Sequence, residues 1–150
     1  MSSSAHGALL ASHVLRAQGI IASSGYVVQP VLGDRRSAPF SYTVGLHELH
    51  GYELVMVGAD NQVMNGLIHS LVERFADSAG PDPEVLLDGF LVGGFGLRMR
   101  LVQSLEPFSL LRAVYGPDVC PPIWQAVWPD PEGRFPGDAG YSMARAQPLL

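Results

Sequence analysis

The chain has 150 residues, of which 47% are hydrophobic and 15% are charged, and its formal net charge is −5. This length predicts a single domain over residues 1–150, and the apolar content is too high for a disordered chain. All nine basic residues are arginines and there is one cysteine, which excludes lysine Schiff bases, pyridoxal phosphate aldimines, lysine-containing phosphate loops, internal disulfides and multi-cysteine metal sites.

The first part of the chain predicts one helix followed by three strands. Apolar residues recur at helical spacing over residues 4–23, which predicts the helix. Strands at 26–32 and 40–46, separated by a short polar loop, predict a hairpin. Pro30 places the first of these strands at a sheet edge, because proline donates no ladder hydrogen bond. A third strand at 53–59 is apolar enough to be central.

The second part predicts two helices separated by strands. A helix at 62–78 carries a clear apolar stripe, and Asp60 or Asn61 is expected to cap it. A loop with two prolines follows. Strands are expected within 85–103 around a glycine cluster. The remaining predicted elements are a short helix at 107–115 and a last strand at 123–128.

This order of elements predicts an α+β fold. We expect a mostly antiparallel sheet of about five to six strands, with two or three helices packed on one of its faces. Residues 129–150 are rich in proline and glycine. They are predicted to form an irregular C-terminal segment packed on the domain.

The N-terminal sequence does not read as a targeting signal. No basic residue precedes Arg16, and His6 and His13 interrupt the apolar stretch. No window holds about 18 uninterrupted apolar residues, so no membrane partner is expected. The negative net charge argues against nucleic-acid binding, whose affinity comes from clustered basic residues. A cytoplasmic location is the resulting expectation, and a homo-oligomer remains open.

Several short stretches resemble one known family when they are taken together and in order. They are PFSYTVGL at 39–46 with ELV at 53–55, YGPDV at 115–119, QAVWPDPEGRFP at 125–136 and QPLL at 147–150. This set resembles the domain-of-unknown-function family 4262, a group of small bacterial proteins common in actinobacteria. The matching positions are Phe40, Tyr42, Thr43, Gly45, Glu53, Leu54, Tyr115, Gly116, Gln125, Trp128, Pro129, Asp130, Phe135 and Pro136. The family has no settled activity, so the resemblance implies a fold and an origin rather than a mechanism.

The densest polar cluster is HELH at 47–50. On the strand before it, alternate residues from Ser41 to His47 are expected to share one face. A histidine at a strand end beside two hydroxyls has a pKa suited to a general base, and Glu48 or Glu53 would orient it. The predicted acid/base residues are His47, Glu48, Thr43 and Ser41. The alternative is a solvated turn in which the hydroxyls only satisfy backbone groups.

No stretch predicts a metal or a cofactor. His47 and His50 with Glu53 or Asp60 have the composition of an open iron or zinc site, but their spacing matches no known ligand pattern. GGFG at 93–96 lacks the spacing of a phosphate loop and precedes a strand. Close backbone packing or a bulge is the expected role of these glycines.

Aromatic and arginine side chains predict a ligand site. Trp124 and Trp128 share one face of the last predicted strand, where they belong either to the wall of a pocket or to the core. Arg98 and Arg100, with Arg112, are candidates for a local anion site. The predicted ligand-binding residues are Tyr42, Phe95, Arg98, Arg100, Trp124 and Trp128.

These observations leave competing functional hypotheses. The first is a protein that binds a small organic molecule, extended to a cofactor-independent enzyme in which His47 is the acid/base. The alternative is a non-catalytic interaction module of accessory or immunity type, with Phe135, Tyr141 and Met143 of the C-terminal segment as its contact surface. A third option is a small flavin- or haem-binding barrel. An exposed apolar patch would favour the interaction module.

Overall fold

A computed structural model describes the backbone of residues 2–150 and the side chains from Gly7 onward. In this part of the chain, one mixed sheet of six strands is packed by four helices, which confirms the predicted α+β class and strand count. The helices are α1 (Ser2–Ser24), α2 (Leu46–His50), α3 (Asn61–Ala76) and α4 (Ser109–Tyr115). The strands are β1 (Val27–Val31), β2 (Phe40–Val44), β3 (Glu53–Val57), β4 (Leu86–Leu87), β5 (Leu97–Leu101) and β6 (Ile123–Val127).

The strands run in the order β1-β2-β3-β6-β5-β4, and only the β3–β6 pair is parallel. The predicted hairpin of β1 and β2 is confirmed, and Pro30 lies on an edge strand as expected. The sheet is open, with β1 and β4 at its two edges, so the barrel hypothesis is wrong. Within residues 2–150, no helix is long and apolar enough to cross a lipid bilayer.

Helices cover both faces of the sheet, which corrects the expectation of a single covered face. Met64 and Ile68 of α3 pack with Leu54 on one face. On the other face, α1 and α4 pack against a second cluster that includes Val55. The burial of β3 shows the reason, since all five of its residues are buried. A central strand that is covered on both faces does not alternate between buried and exposed residues.

The end of β2 differs from the sequence prediction. β2 ends at Val44, and Gly45 takes a left-handed conformation with φ 102° that a strand cannot continue. HELH therefore forms most of the short helix α2 rather than a strand end or a solvated turn. The alternation expected from Ser41 to His47 stops at Val44, so His47 does not share a face with Ser41.

Two local predictions are confirmed. Asp60 caps α3 by accepting a hydrogen bond from the Gln62 N–H at 2.9 Å. Gly96, in the GGFG stretch, packs so closely on Leu86 of β4 that an added Cβ would lie 2.5 Å from the Leu86 Cγ atom. Gly96 thus serves close packing beside a strand, whereas an added Cβ at Gly94 would meet no atom within 4 Å.

Candidate functional site

The carboxyl group of Glu53 is buried where β2 passes into α2. Thr43 Oγ1 donates a hydrogen bond to Glu53 Oε1 at 2.7 Å, and the Tyr115 hydroxyl of α4 donates to Glu53 Oε2. Main-chain N–H groups donate to the same carboxyl at 3.1–3.2 Å, namely those of Gly45, Leu46 and His47. We call these residues the Glu53 cluster. Because Gly45 has no side chain to cap α2, the Glu53 carboxyl supplies the acceptor that the first turn needs.

The environment of this carboxyl favours its protonated form. Burial raises the pKa of Glu53, although hydrogen bonds from Tyr115, Thr43 and main-chain N–H groups partly oppose the rise. Burial and the neighbouring Glu53 carboxyl also raise the pKa of Tyr115. Tyr115 therefore stays a hydroxyl donor at neutral pH. Both Glu53 oxygens are engaged with donors, so the cluster is arranged to hold the β2–α2 turn.

The predicted acid/base residues are only partly brought together. His47 and Thr43 belong to the Glu53 cluster, and the His47 ring lies edge-on to Tyr115 with centroids 5.9 Å apart. Among the residues whose side chains are described, neither His47 Nδ1 nor the buried Ser41 Oγ has a hydrogen-bond partner, so the two do not bond to each other. Ser41 lies on the face that α3 covers, and Glu48 is exposed.

A second buried carboxylate, Asp130, folds the start of the C-terminal segment. Asp130 Oδ1 accepts from the N–H groups of Glu132 at 3.0 Å and Arg134 at 2.9 Å. Asp130 Oδ2 accepts from Arg134 Nε at 3.0 Å and from the Ser142 N–H at 3.1 Å. Burial raises the pKa of Asp130, but these hydrogen bonds outweigh it and lower the pKa to about 2. The Asp130 side chain thus caps the turn that follows it.

Replacing Asp130 with Asn should destabilise the protein in a pH-dependent way. The amide N–H₂ would face the donors that the carboxylate now accepts from, so we expect a lower urea midpoint at neutral pH. A carboxylate with a lowered folded-state pKa contributes stability above its ordinary pKa, and that stability is lost as pH falls through the folded value. The difference between wild type and variant should therefore shrink between about pH 4 and pH 2.

The control for this prediction is Asp118→Asn, which changes an exposed carboxylate. Its urea midpoint should match that of the wild type over the same pH range. If the urea midpoints of wild type and Asp130→Asn differed by the same amount from neutral pH down to pH 2, the charge of Asp130 would not be what stabilises the segment.

Two buried glutamines attach the end of the chain to the sheet. Gln125 Oε1 accepts from the Leu150 N–H at 2.9 Å, and Gln125 Nε2 donates to the Pro148 carbonyl at 3.1 Å. Gln147 Oε1 accepts from the Trp128 N–H at 2.8 Å, and Gln147 Nε2 donates to the Trp128 carbonyl at 2.7 Å. Each amide thus pairs with main-chain groups as a neighbouring strand would.

A groove of about 370 Å³ lies between the β5–β6 side of the sheet and the C-terminal segment. We call it the Arg98–Arg100 groove. It is lined by Pro83, Arg98, Met99, Arg100, Leu101, Trp124, Val127, Phe135, Pro136 and Leu149. β4 pairs with β5 only at Leu97 and Arg98, so the rest of the outer edge of β5 is open to the groove.

The arginines of the groove are positioned without acidic side chains. The Arg98 guanidinium lies over the Phe135 ring, with its central carbon 4.6 Å from the ring centroid. Arg100 Nη1 donates to the main-chain oxygen of Leu150 at 2.9 Å. The salt bridges found among the described side chains use Arg74 and Arg134 instead. A guanidinium stacked on an aromatic ring keeps its N–H groups available at its edge, where a carboxylate binds.

The other predicted ligand-binding residues lie outside this groove. Tyr42 belongs to the core on the face opposite Trp124, and its hydroxyl accepts from the Leu110 N–H at 3.0 Å. Trp128 donates from Nε1 to the Val57 carbonyl at 2.8 Å, and Phe95 lies against Gly133. The expected pocket wall of Tyr42 with both tryptophans is therefore wrong, since alternate strand residues point to opposite faces.

The histidine cluster does not assemble a metal site. His50 is exposed and stacks with Tyr52, at 6.1 Å between ring centroids. In the described part of the chain, no three His, Cys, Asp or Glu side chains stand together where one metal ion would bind them. The groove likewise has no such side chain in its lining.

Comparison with known proteins matches the chain to one family. The model of a domain of unknown function, DUF4262, matches residues 20–142, which is more than half of the chain. No curated protein and no solved structure matches significantly. The positions that carried the resemblance in the sequence include Thr43, Gly45, Glu53 and Tyr115, which meet in the Glu53 cluster. The chain therefore belongs to the DUF4262 family, whose description assigns no activity.

Proposed function

We propose that this protein binds a small organic acid in the Arg98–Arg100 groove. The observation that carries the proposal is the pairing of two guanidinium groups, neither contacted by an acidic side chain, with apolar walls that include Val127 and Phe135. A volume of about 370 Å³ is at the small end of the range for ligand pockets. A short carboxylate with an apolar body matches both features.

Electrostatics supports an anionic ligand over a neutral one. The chain has a net charge of −5, yet the lining of this groove holds two arginines and no acidic side chain. The stack on Phe135 fixes the Arg98 guanidinium plane, so less conformational entropy is lost when a carboxylate binds. Charge-assisted hydrogen bonds of this kind are about twice as strong as neutral ones.

The groove supports binding rather than acid/base chemistry. Its lining contains arginine and apolar side chains, with no His, Cys, Asp or Glu among them to act as an acid or base. The hypothesis that His47 acts as an acid/base is separate from this groove, since His47 lies in the Glu53 cluster. We therefore propose a binding function and do not extend it to catalysis.

The binding proposal is tested with small aromatic and branched aliphatic carboxylates, each paired with its neutral amide. The Trp124 indole N–H is the reporter in a ¹H–¹⁵N correlation spectrum, because Trp124 lines the groove. The Trp128 indole is an internal control, since it is bonded to Val57 outside the groove. We expect the carboxylates, and not the amides, to shift the Trp124 signal.

Replacing Arg98 with Gln should weaken carboxylate binding by about tenfold or more, because a charge-assisted hydrogen bond contributes about 1.5–3 kcal/mol. Arg100→Gln should weaken it as well. The control is Arg112→Gln, which removes an exposed guanidinium that does not line this groove. Equal binding by wild type and Arg98→Gln, or no binding of any carboxylate in the series, would refute the proposed function.

A further inference from the structure

Three of the nine arginines line a second groove, located where β2 begins and β3 ends. They are Arg35 and Arg36 of the loop between β1 and β2, and Arg145 of the C-terminal segment. We call this site the Arg35–Arg145 groove. Its volume is about 890 Å³, within the range of about 300–1,000 Å³ that small-molecule sites occupy. It shares no lining residue with the Arg98–Arg100 groove, so it is a separate candidate site.

The side chains of this groove carry an excess of positive charge in an acidic protein. Three arginines and one acidic residue, Asp34, line it, which leaves an excess of two positive charges in a chain of net charge −5. Asp34 Oδ1 accepts hydrogen bonds from the main-chain N–H groups of Arg36 at 2.7 Å and Ser37 at 2.8 Å. The one carboxylate of the lining is therefore engaged with the main chain of its own loop.

The three guanidinium groups are available to an anion from outside the molecule. All three arginines are exposed, and the salt bridges among the described side chains use Arg74 and Arg134 instead. Leu150 also lines the groove, and its main-chain oxygen accepts from Arg100 Nη1 at 2.9 Å. The arginines of the groove thus have no acidic side chain as a partner in the described part of the chain.

Main-chain hydrogen bonds hold the two sides of the groove. On one side, the Asp34 N–H donates to the Ser37 carbonyl at 2.9 Å, which closes the turn that contains the first two arginines. On the other side, the Gln147 N–H donates to the Met143 carbonyl at 2.9 Å, which closes the turn that contains Arg145. Because both turns are formed before a ligand arrives, less conformational entropy is lost on binding.

Apolar residues complete the lining between the two turns. Phe40 and Val57, which are paired across β2 and β3, lie there together with Pro107. The Phe40 ring stacks on Tyr42 and lies edge-on to Phe108, with 5.9 Å between the ring centroids in each pair. A ligand that fits this lining has an anionic group for the arginines and an apolar body for the remaining wall.

We propose that the Arg35–Arg145 groove binds a small molecule in which a phosphate monoester is attached to an apolar or aromatic body. A phosphate monoester carries a charge of about −1.5 to −2 at pH 7 and has three acceptor oxygens. These properties match the excess of two positive charges and the three guanidinium groups of the lining. A carboxylate has a single charge and two oxygens, and one arginine can bind both of them. The proposal does not depend on the carboxylate site of the Arg98–Arg100 groove.

The test titrates the full chain with phenyl phosphate and with phenyl sulfate at about pH 7.5. At this pH the phosphate monoester is mostly a dianion, whereas the sulfate is a monoanion of nearly the same shape. The reporters in a ¹H–¹⁵N correlation spectrum are the main-chain signals of Val57 and Gly58, which both line the groove. The Trp124 indole reports on the Arg98–Arg100 groove. We expect phenyl phosphate to shift the Val57 and Gly58 signals and to bind about fivefold or more tightly than phenyl sulfate.

Arg35→Gln, Arg36→Gln and Arg145→Gln should each weaken phenyl phosphate binding by about fivefold, because each removes one exposed ion pair with the ligand. The triple variant should weaken it by about 100-fold. Arg16→Gln, which changes an exposed arginine outside this groove, is the matched control and should bind as the wild type does. Arg98→Gln should also leave the Val57 and Gly58 shifts unchanged, which separates this site from the proposed carboxylate site. Far-ultraviolet circular dichroism shows whether each variant is folded.

Several outcomes would overturn the proposal. One is the absence of Val57 and Gly58 shifts up to about 10 mM phenyl phosphate, a concentration that fills a site with a Kd near 1 mM. Others are equal affinity for phenyl phosphate and phenyl sulfate, or unchanged binding by the folded triple variant. Tighter binding of a short oligothymidylate through the same three arginines would assign the groove to nucleic acid instead of a small molecule.

Discussion

Replacing Glu53 with Ala should lower the free energy of unfolding by about 3–5 kcal/mol, which we expect to be the largest single effect in this molecule. The carboxyl is buried and accepts from two hydroxyls and three main-chain N–H groups. Removing it leaves several buried donors without an acceptor, and each costs about 1–3 kcal/mol unless water reaches it. Urea denaturation followed by tryptophan fluorescence measures the loss.

The matched control is Glu48→Ala, five residues away and exposed on α2. It removes the same side chain from a solvated position, so the free energy of unfolding should change by less than about 0.5 kcal/mol. Tyr115→Phe and Thr43→Val each remove one donor from the cluster and should give intermediate losses. If Glu53→Ala were as stable as Glu48→Ala, the carboxyl would not be what holds the β2–α2 turn.

Glu53→Gln separates the charge of this side chain from its shape. Since burial raises the folded-state pKa of Glu53, the folded protein binds the proton more tightly than the unfolded chain. Stability from this group is therefore present below the ordinary pKa and is lost as pH rises through the raised value. As pH rises from the ordinary pKa of glutamate to the raised pKa of folded Glu53, the wild type should lose stability relative to Glu53→Gln. Parallel pH profiles for the two proteins would contradict the raised pKa.

The fold class and the order of helices and strands along the chain could be predicted, because local sequence patterns determine both. The apolar stripe of α3 repeats at helical spacing, and in β3 the four residues after Glu53, LVMV, are all apolar. That same run also carried the information that both faces of β3 are covered, because a strand with one wet face would alternate. The prediction of a single covered face failed because the order of elements does not say on which side each helix returns.

The Glu53 cluster could not be assembled from sequence spacing. Glu53 and Tyr115 are 62 residues apart, and they meet only because β3 and α4 converge at one end of the sheet. His47 attracted attention by its residue type, whereas its main-chain N–H is what the cluster uses. The hydrogen-bonding capacity of a peptide group is the same for every residue except proline, so sequence carries no signal for it.

The arginines of the Arg98–Arg100 groove could be predicted from the sequence, but the shape of the groove could not. The alternation of Arg98 and Arg100 with apolar residues placed both guanidinium groups on one face of β5. Phe135, which supports Arg98, comes from an irregular segment whose path depends on Asp130 and on the two buried glutamines. The C-terminal segment had been expected to present Phe135 as a contact surface, but that side chain is buried.

Replacing Gly58 with Ala should detach the end of the chain from the sheet. Gly58 has φ +89°, and an added Cβ would lie 2.0 Å from the Ala146 carbonyl oxygen and 2.8 Å from its carbon. Main-chain atoms cannot rotate away as a flexible side chain would, so residues near Ala146 must move. We expect a loss of about 3 kcal/mol or more, combining the strain of a positive φ with the overpacking.

Gly89→Ala is the control that isolates this contact. Gly89 has φ +85°, but an added Cβ would meet no atom within 4 Å, so the variant has the backbone strain without the clash. Its loss should be about 1–2 kcal/mol. Trypsin gives a second readout, because the chain has no lysine and Arg145 is its last arginine. Cleavage after Arg145 should accelerate in Gly58→Ala and not in Gly89→Ala.

The same variant links the end of the chain to the groove. Ala146 precedes Gln147, whose amide pairs with the main chain of Trp128, and Leu149 lines the Arg98–Arg100 groove. If Gly58→Ala displaces these residues, the Trp128 main-chain N–H should lose protection against hydrogen exchange, and the Trp124 indole signal should shift without added ligand. Equal stability, equal cleavage and unchanged signals in the two glycine variants would show that the close approach of Ala146 does not hold the segment in place.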